Sequence, residues 1–214
     1  MRQLKPYRIF QQIYNPLQRE FVQSRGKLQL DFLKKHGLKP HHSLLDIGCA
    51  RLWGGQFFIE YLDVNKYCGI DNNLEVIKAC EVLIEHLNFL SSKNPTIMLS
   101  NDCLFDLDIK FDFGIASGIF NHNTIETLRQ YLYNLHKKID MFFLDMNLAN
   151  IDYIYQESEN SIVSMFTYDT LCKGIDGICY LIKVDGSFSH FHADLSKYPG
   201  VKCIERQIFQ VKWM

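Results

Sequence analysis

The stretch Leu44-Leu45-Asp46-Ile47-Gly48-Cys49-Ala50-Arg51-Leu52-Trp53-Gly54-Gly55 decides the reading of this chain. It opens with a short apolar run that ends in a turn of small residues, and residues 54–62 behind the turn suit a short helix. A strand, a small-residue turn and a helix form a ligand site by geometry, because open α/β sheets bind past the carboxyl ends of their strands. Glycine at 48 lets the backbone approach a ligand closely. The dinucleotide fingerprint G-x-G-x-x-G is not met, since both later glycine places, at 50 and 53, hold other residues. Asp46 at the strand end would repel a pyrophosphate. A ligand with a positively charged amine suits it better.

Two further groups stand at the ends of the next strands. Asp71 closes the run Lys66-Tyr67-Cys68-Gly69-Ile70-Asp71. A carboxylate there can accept hydrogen bonds from both hydroxyls of a ribose, the device that dinucleotide folds also use. Asn101-Asp102-Cys103 follows the apolar run Thr96–Leu99. An acid or amide here could meet the exocyclic amine of an adenine, and the adjacent backbone N–H a ring nitrogen.

Outward from the turn, strands and helices alternate. Residues 73–90 carry Val76, Ile77, Cys80, Leu83, Ile84, Leu87 and Leu90 at helical intervals, which predicts one helix. Phe111–Ala116 and Met141–Leu144 are the fourth and fifth strands. Between them Ile125, Leu128, Tyr131, Leu132, Leu135 and Ile139 share one helix side, with a capping box expected at Asn123 and Glu126. Residues 148–177 show a short helix around Tyr168–Lys173 and no other clear element. Strands at 178–184 and 203–213 follow without a helix between them, which predicts an antiparallel hairpin at one edge. The alternation argues for a mostly parallel sheet covered on both faces. Residues 1–40 read as a helical extension that starts a helix at Asn15-Pro16, stops one at Lys34-Lys35-His36-Gly37 and divides at Gly26. Residues 41–214 read as a single domain.

Asp46-Ile47-Gly48-Cys49-Ala50, the acid Asp71, the pair Asp102-Cys103 and the stretch Phe111–His122 resemble, in that order, the motifs of class I S-adenosylmethionine-dependent methyltransferases. The resemblance covers about residues 27–147. It implies a Rossmann-like three-layer α/β sandwich with a seven-stranded, mostly parallel sheet and one antiparallel strand near an edge. It implies that Asp46, Gly48, Cys49 and Ala50 hold the methionine part of S-adenosylmethionine. Asp71 would hold the ribose and Asp102 with Cys103 the adenine, with Asn72 and Ser117 also in the cofactor-binding set. Ala50 stands where the family usually has glycine, and Gly54-Gly55 is shifted from the common pattern. The expected activity is methyl transfer to oxygen or nitrogen of a small or medium-sized acceptor.

In-line displacement asks the protein mostly to position the acceptor and exclude water, and a base only where the acceptor must lose a proton. His122 is the candidate base, its structural alternative being a histidine bonded to backbone at a helix start. Asn121 and Asp145 are weaker candidates on the same edge. No Asn/Asp-Pro-Pro-Tyr-type tetrapeptide follows the fourth strand, and no Pro-Cys nucleophile occurs. Ser117-Gly118 occupies the place where metal-dependent O-methyltransferases carry an acid. His190, His192 and Asp194 would share one face of a strand and could bind a metal, but a solvated loop is the commoner meaning, so no metal is expected.

Composition sets the remaining bounds. The 214 residues are 47% hydrophobic and 22% charged, a globular balance. Basic residues number 23 and acidic residues 24, so the net charge of −1 argues against nucleic acid as partner. Seven cysteines, an odd number without a C-x-x-C pair, fit buried reduced thiols. No signal-peptide or membrane-spanning run is present, and a cytoplasmic location is expected. Arg2, Lys5, Arg8, Arg19, Arg25 and Lys27 lie among Tyr7, Phe10 and Tyr14, either as a lid over the acceptor or as a helix packed on the sheet. Two rival readings stand beside the methyltransferase: a non-catalytic binding domain on the same fold, and an NAD(P)-binding oxidoreductase.

Overall fold

The structure is a computed structural model that describes residues 16–100, 109–158, 161–186, 188 and 195–214. The chain divides into two compact units, Met1–Leu99 and Ser100–Met214.

The first unit begins with α1 (Pro16–Lys35). It continues through β1 (Leu44–Ile47), α2 (Gly55–Tyr61), β2 (Tyr67–Asp71), α3 (Leu74–His86), α4 (Asn88–Ser91) and β3 (Thr96–Leu99). Its strands are parallel, in the order β3-β2-β1, with Asp46 opposite Gly69 and Asp71 opposite Leu99. All four residues of β1 are buried, as a parallel strand covered on both faces requires. Leu33, Leu44, Phe58, Leu62, Cys80 and Leu90 are fully buried around this sheet.

Two expectations for this unit change. The stretch 73–90 is not one helix. It breaks at Leu87, whose extended backbone ends α3 and starts α4. Gly26 does not divide α1, which runs through it unbroken. The reason is packing. A methyl group at Gly26 would overlap the Phe57 ring and lie 2.7 Å from the Trp53 carbonyl oxygen. Glycine here lets α2 and the turn before it approach the helix.

The second unit holds β4 (Phe111–Ala116), a 3₁₀ turn (Phe120–His122), α5 (Ile125–Leu135) and β5 (Ile139–Ala149). Then come β6 (Tyr153–Ser158), β7 (Ser161–Met165), α6 (Tyr168–Ile175), β8 (Cys179–Val184) and β9 (Ile204–Trp213). Its main strands follow the order β4-β5-β9-β8. β4 and β5 are parallel, and β9 runs antiparallel to both β5 and β8. Within each unit the strands expected to be parallel are parallel, β1–β2–β3 in the first and β4–β5 in the second, and β9 with β8 makes the antiparallel addition, as the sequence predicts. Trp213 ties the end of β9 to the start of β5, donating its indole N–H to the Ile139 carbonyl at 2.7 Å and stacking on Phe142.

The hairpin β6–β7 was not foreseen in the sequence. It forms its own two-stranded sheet. Phe166, just after it, bonds to the backbone of Asn147 and Ala149 on β5. The expected capping box also changes. Thr124, not Asn123, caps α5 by accepting from the Thr127 N–H, and the Asn123 amide donates to the Ile119 carbonyl instead. Thr124 has the extended backbone that a cap needs.

Replacing glycine by alanine inside a helix normally gains roughly 1 kcal/mol. At Gly26 the sign reverses, because the Trp53 carbonyl is backbone and cannot swing aside. Gly26→Ala is expected to lower the urea midpoint of unfolding, by an overpacking cost of about 1–3 kcal/mol.

Candidate functional site

The candidate site of the first unit is the turn after β1. Three of its residues have left-handed backbone: Gly48 at φ 69°, Ala50 at φ 48° and Leu52 at φ 57°. That conformation costs a non-glycine residue about 1–2 kcal/mol, so neighbours must hold it. They do. The Ile70 carbonyl of β2 accepts from the N–H groups of both Gly48 (2.8 Å) and Cys49 (2.9 Å). The Ala50 N–H donates to Asp71 Oδ2 at 3.1 Å, and the Ala50 carbonyl accepts from the Cys80 thiol at 3.0 Å. The left-handed φ explains why glycine suits position 50 and why alanine, with the smallest side chain, can stand there.

Asp71 is half-buried at the end of β2. Its second oxygen accepts from the Asn73 N–H at 3.0 Å, and Asn73 in turn caps α3 through the Glu75 N–H. Each carboxylate oxygen carries one backbone donor, and each keeps a further lone pair for an outside hydroxyl. Asn72 is exposed beside it.

Asp46 is the unusual member. It is buried on β1, and Tyr67 donates its phenol to Asp46 Oδ2 at 2.8 Å. Tyr67 lies opposite Leu44, two residues before Gly69 on the same face of β2, so its ring runs along the strand toward Asp46. Gly69 and Gly55 keep the way open. A methyl group at Gly69 would lie 2.9 Å from the Tyr67 oxygen, and one at Gly55 would overlap it. Gly54 leaves room for the buried Gln29 of α1. The glycine pair that looked misplaced in the sequence thus serves these two side chains.

Burial pushes the Asp46 carboxyl up to about 7, against the opposing pull of the Tyr67 hydrogen bond and the Arg25 charge. Burial, then the Asp46 charge, raises Tyr67 well above the usual phenol range, so the phenol stays the donor. A hydrogen bond with Cys80, then burial, pushes the Cys49 thiol strongly up, which leaves it a protonated packing group. The arrangement is a narrow turn with two inward acids, fit to receive a cation and a pair of hydroxyls.

In the second unit, Asp145 lies inside β5, which continues past it to Ala149, and is wholly buried. It accepts from the Gly118 N–H at 2.6 Å and from Arg206 Nε of β9 at 2.8 Å, with the Ser117 hydroxyl at 3.5 Å. The buried Asn121 accepts from the Asn147 N–H at 2.6 Å. The exposed His122 bonds through Nδ1 to the Ile162 carbonyl of β7 at 2.9 Å. A carbonyl only accepts, so Nδ1 carries the proton and Nε2 presents a lone pair. This is the backbone-bonded histidine foreseen as the structural alternative, and it leaves the ring able to act as a base. Ser164 of β7 holds the same 3₁₀ turn, donating to the Asn123 carbonyl at 2.7 Å.

Asp102, Cys103, His190, His192 and Asp194 lie outside the described residues. The described residues hold no cluster fit for a metal ion, and no helix among them is long and apolar enough to cross a membrane. Sequence reasoning missed Tyr67 and Arg206. Arg206 gave no signal, being one basic residue on a late strand. Tyr67 did give one: a large polar aromatic just before Cys68-Gly69, where the glycine opens a corridor.

No protein-family model and no curated protein matches this sequence. Solved structures do. An S-adenosylmethionine-dependent methyltransferase from Clostridium acetobutylicum aligns over 96% of this chain and 98% of its own, at TM-score 0.63 and 16% identity. Magnesium protoporphyrin IX methyltransferase from Synechocystis, with S-adenosylmethionine bound, aligns over 98% and 92% at TM-score 0.60 and 16% identity. A glycopeptide N-methyltransferase complexed with S-adenosylhomocysteine aligns over 89% and 90% at TM-score 0.66 and 8% identity. The chain has the class I methyltransferase fold.

Two outcomes follow from the buried acids. Because the folded pKa of Asp46 is raised, the native state holds a proton that the unfolded chain releases. Its ionisation therefore lowers stability as pH rises from about 4 to about 7. In Asp46→Asn that penalty is gone. The melting temperature of the variant relative to the parent should climb between pH 5 and pH 8, by the equivalent of roughly a few kcal/mol. Arg206→Met should cost about 3–5 kcal/mol in chemical denaturation, since it leaves the Asp145 charge buried without its guanidinium.

Proposed function

We propose that this chain is an S-adenosylmethionine-dependent methyltransferase acting on oxygen or nitrogen of a small or medium-sized acceptor. One observation carries the reading: the left-handed turn after β1 stands between two acids, Asp46 and Asp71, on a class I methyltransferase fold. The donor set fits the cofactor. Asp71 retains lone pairs for the two ribose hydroxyls. Asp46 supplies negative charge for the ammonium of the methionine arm. Gly48, Cys49 and Ala50 line the approach with backbone rather than side chains, and Asn72 and Ser117 complete the set. Asp102 and Cys103 are proposed for the adenine.

The cofactor, when bound, supplies an electrophilic methyl group on a sulfonium. The residues do the rest. Asp46 and Asp71 hold the methionine arm and the ribose, on either side of the sulfur, and so orient the methyl for in-line attack. His122, its Nδ1 proton fixed on the Ile162 carbonyl, offers Nε2 to take a proton from an acceptor O–H or N–H. The odd cysteine count without a C-x-x-C pair is the ground for proposing a reducing, cytoplasmic setting. Residues 1–40 are proposed as a helical extension to the domain at 41–214, and the net charge of −1 favours a small-molecule acceptor over nucleic acid.

The test is calorimetric titration with S-adenosylmethionine and S-adenosylhomocysteine, with NADH as control. Micromolar binding of S-adenosylmethionine and S-adenosylhomocysteine and none of NADH is the expected result. Asp71→Ala should weaken that binding by about 1–3 kcal/mol. Binding of NADH in place of the pair would favour an oxidoreductase, and binding of neither would favour a non-catalytic domain.

A further inference from the structure

We propose that Tyr67 is a positioning residue of the cofactor site: its hydroxyl, seated in a slot kept open by Gly55 and Gly69, fixes Asp46 as the ionised partner of the ligand's ammonium group. The inference rests on the cofactor reading above, and it deepens that reading.

Three observations meet here. The phenol donates to Asp46 Oδ2 at 2.8 Å, with both residues buried, so solvent does not compete for either group. The slot is built from two chain segments. Gly55 starts α2, and Gly69 lies opposite Asp46 on β2, and a methyl group at either place would displace the hydroxyl. The phenol spends its one proton on Oδ2, which leaves Oδ1 as the oxygen free to meet a cation.

The other groups facing Asp46 do not supply this contact. Arg25 of α1 acts on it as a charge only, Asp71 of β2 opposes its ionisation, and the Cys49 and Cys68 thiols feel its charge. Among the described residues, Tyr67 is the side chain that both holds the carboxyl by a hydrogen bond and favours its charged form. Removing the hydroxyl would therefore loosen the rotamer and raise the pH at which Asp46 ionises.

The probes are S-adenosylhomocysteine, which carries the amino-acid arm, and 5′-methylthioadenosine, which lacks it. Both are titrated into the parent chain, Tyr67→Phe, Asp46→Asn and the double variant across the neutral pH range. Tyr67→Phe should weaken S-adenosylhomocysteine about five- to tenfold near neutral pH, the scale of one lost hydrogen bond. It should leave 5′-methylthioadenosine unchanged. Affinity for S-adenosylhomocysteine falls as Asp46 takes up its proton, and this fall should move to higher pH in the variant. In the Asp46→Asn background, Tyr67→Phe should add no further loss. Gly69→Ala, which keeps the phenol but displaces it, should reproduce the pattern.

Equal weakening of both probes, or unchanged affinity for S-adenosylhomocysteine, would overturn the proposal in favour of a packing role. A carbon-13 titration of the Asp46 carboxyl separates this failure from failure of the cofactor reading. If the parent chain binds neither probe, the cofactor reading falls, and the cofactor role of Tyr67 falls with it. An unmoved Asp46 midpoint in Tyr67→Phe would instead refute the Tyr67–Asp46 coupling while the cofactor reading stands.

Discussion

The turn after β1 depends on one constraint: a left-handed backbone that it cannot hold alone. Gly48, Ala50 and Leu52 all have positive φ, and two of the three bear side chains. The conformation survives because β2 ends at the same level and lends it acceptors. The Ile70 carbonyl takes two N–H groups and Asp71 takes a third. The parallel register that pairs Ile47 with Ile70 is therefore also what shapes the candidate ligand turn. A shift of one residue would move Asp71 off the Ala50 N–H and turn every β2 side chain to the other face.

The second unit faces a similar problem with charge in place of backbone strain. Asp145 sits in the core within β5, where an isolated carboxylate would be costly. The Gly118 N–H and the Arg206 side chain meet it from opposite sides in the chain, one from the turn after β4 and one from β9. Such a pair adds little net stability over an apolar core, but it is intolerant of losing one partner. Its effect is to fix the turn that begins at Gly118 and carries Asn121 and His122. His122 and Ser164 then bind that turn to β7, so the hairpin absent from the sequence reading holds the candidate base.

The parts of this structure that sequence revealed are those governed by local rules. The short apolar runs, the helical spacing of α5 and the acids at strand ends report burial and period directly. The parts it hid depend on contacts between distant segments. Gly26 looked like a break because propensity alone penalises glycine in a helix, yet Phe57 and Trp53 occupy the space it leaves. Leu87 continues the apolar spacing of α3 although its backbone is extended. The β6–β7 hairpin lacks a clean alternation, since Ile154 and Tyr155 are both exposed. Thr124 and Asn123 are both good caps by residue type and both have extended backbone, so what decides is that the helix starts at Ile125, one residue later than the sequence suggests.

The candidate site shows the same division. Asp46, Gly48 and Asp71 were legible because ligand geometry at strand ends is general to open α/β sheets. Tyr67 was missed although Cys68-Gly69 beside it gave a hint, because its part depends on two glycines on two different elements. The sequence shows Gly54-Gly55 as a displaced motif, whereas the structure shows room made for Tyr67 and Gln29. A departure from a sequence pattern can therefore reflect packing. Here glycine leaves position 50, where alanine can be held by Asp71 and Cys80, and is required at 55 and 69, where any side chain would meet the phenol. The requirement for bare backbone has shifted toward the groups that grip Asp46, so the acid is held more firmly than the pattern alone would imply.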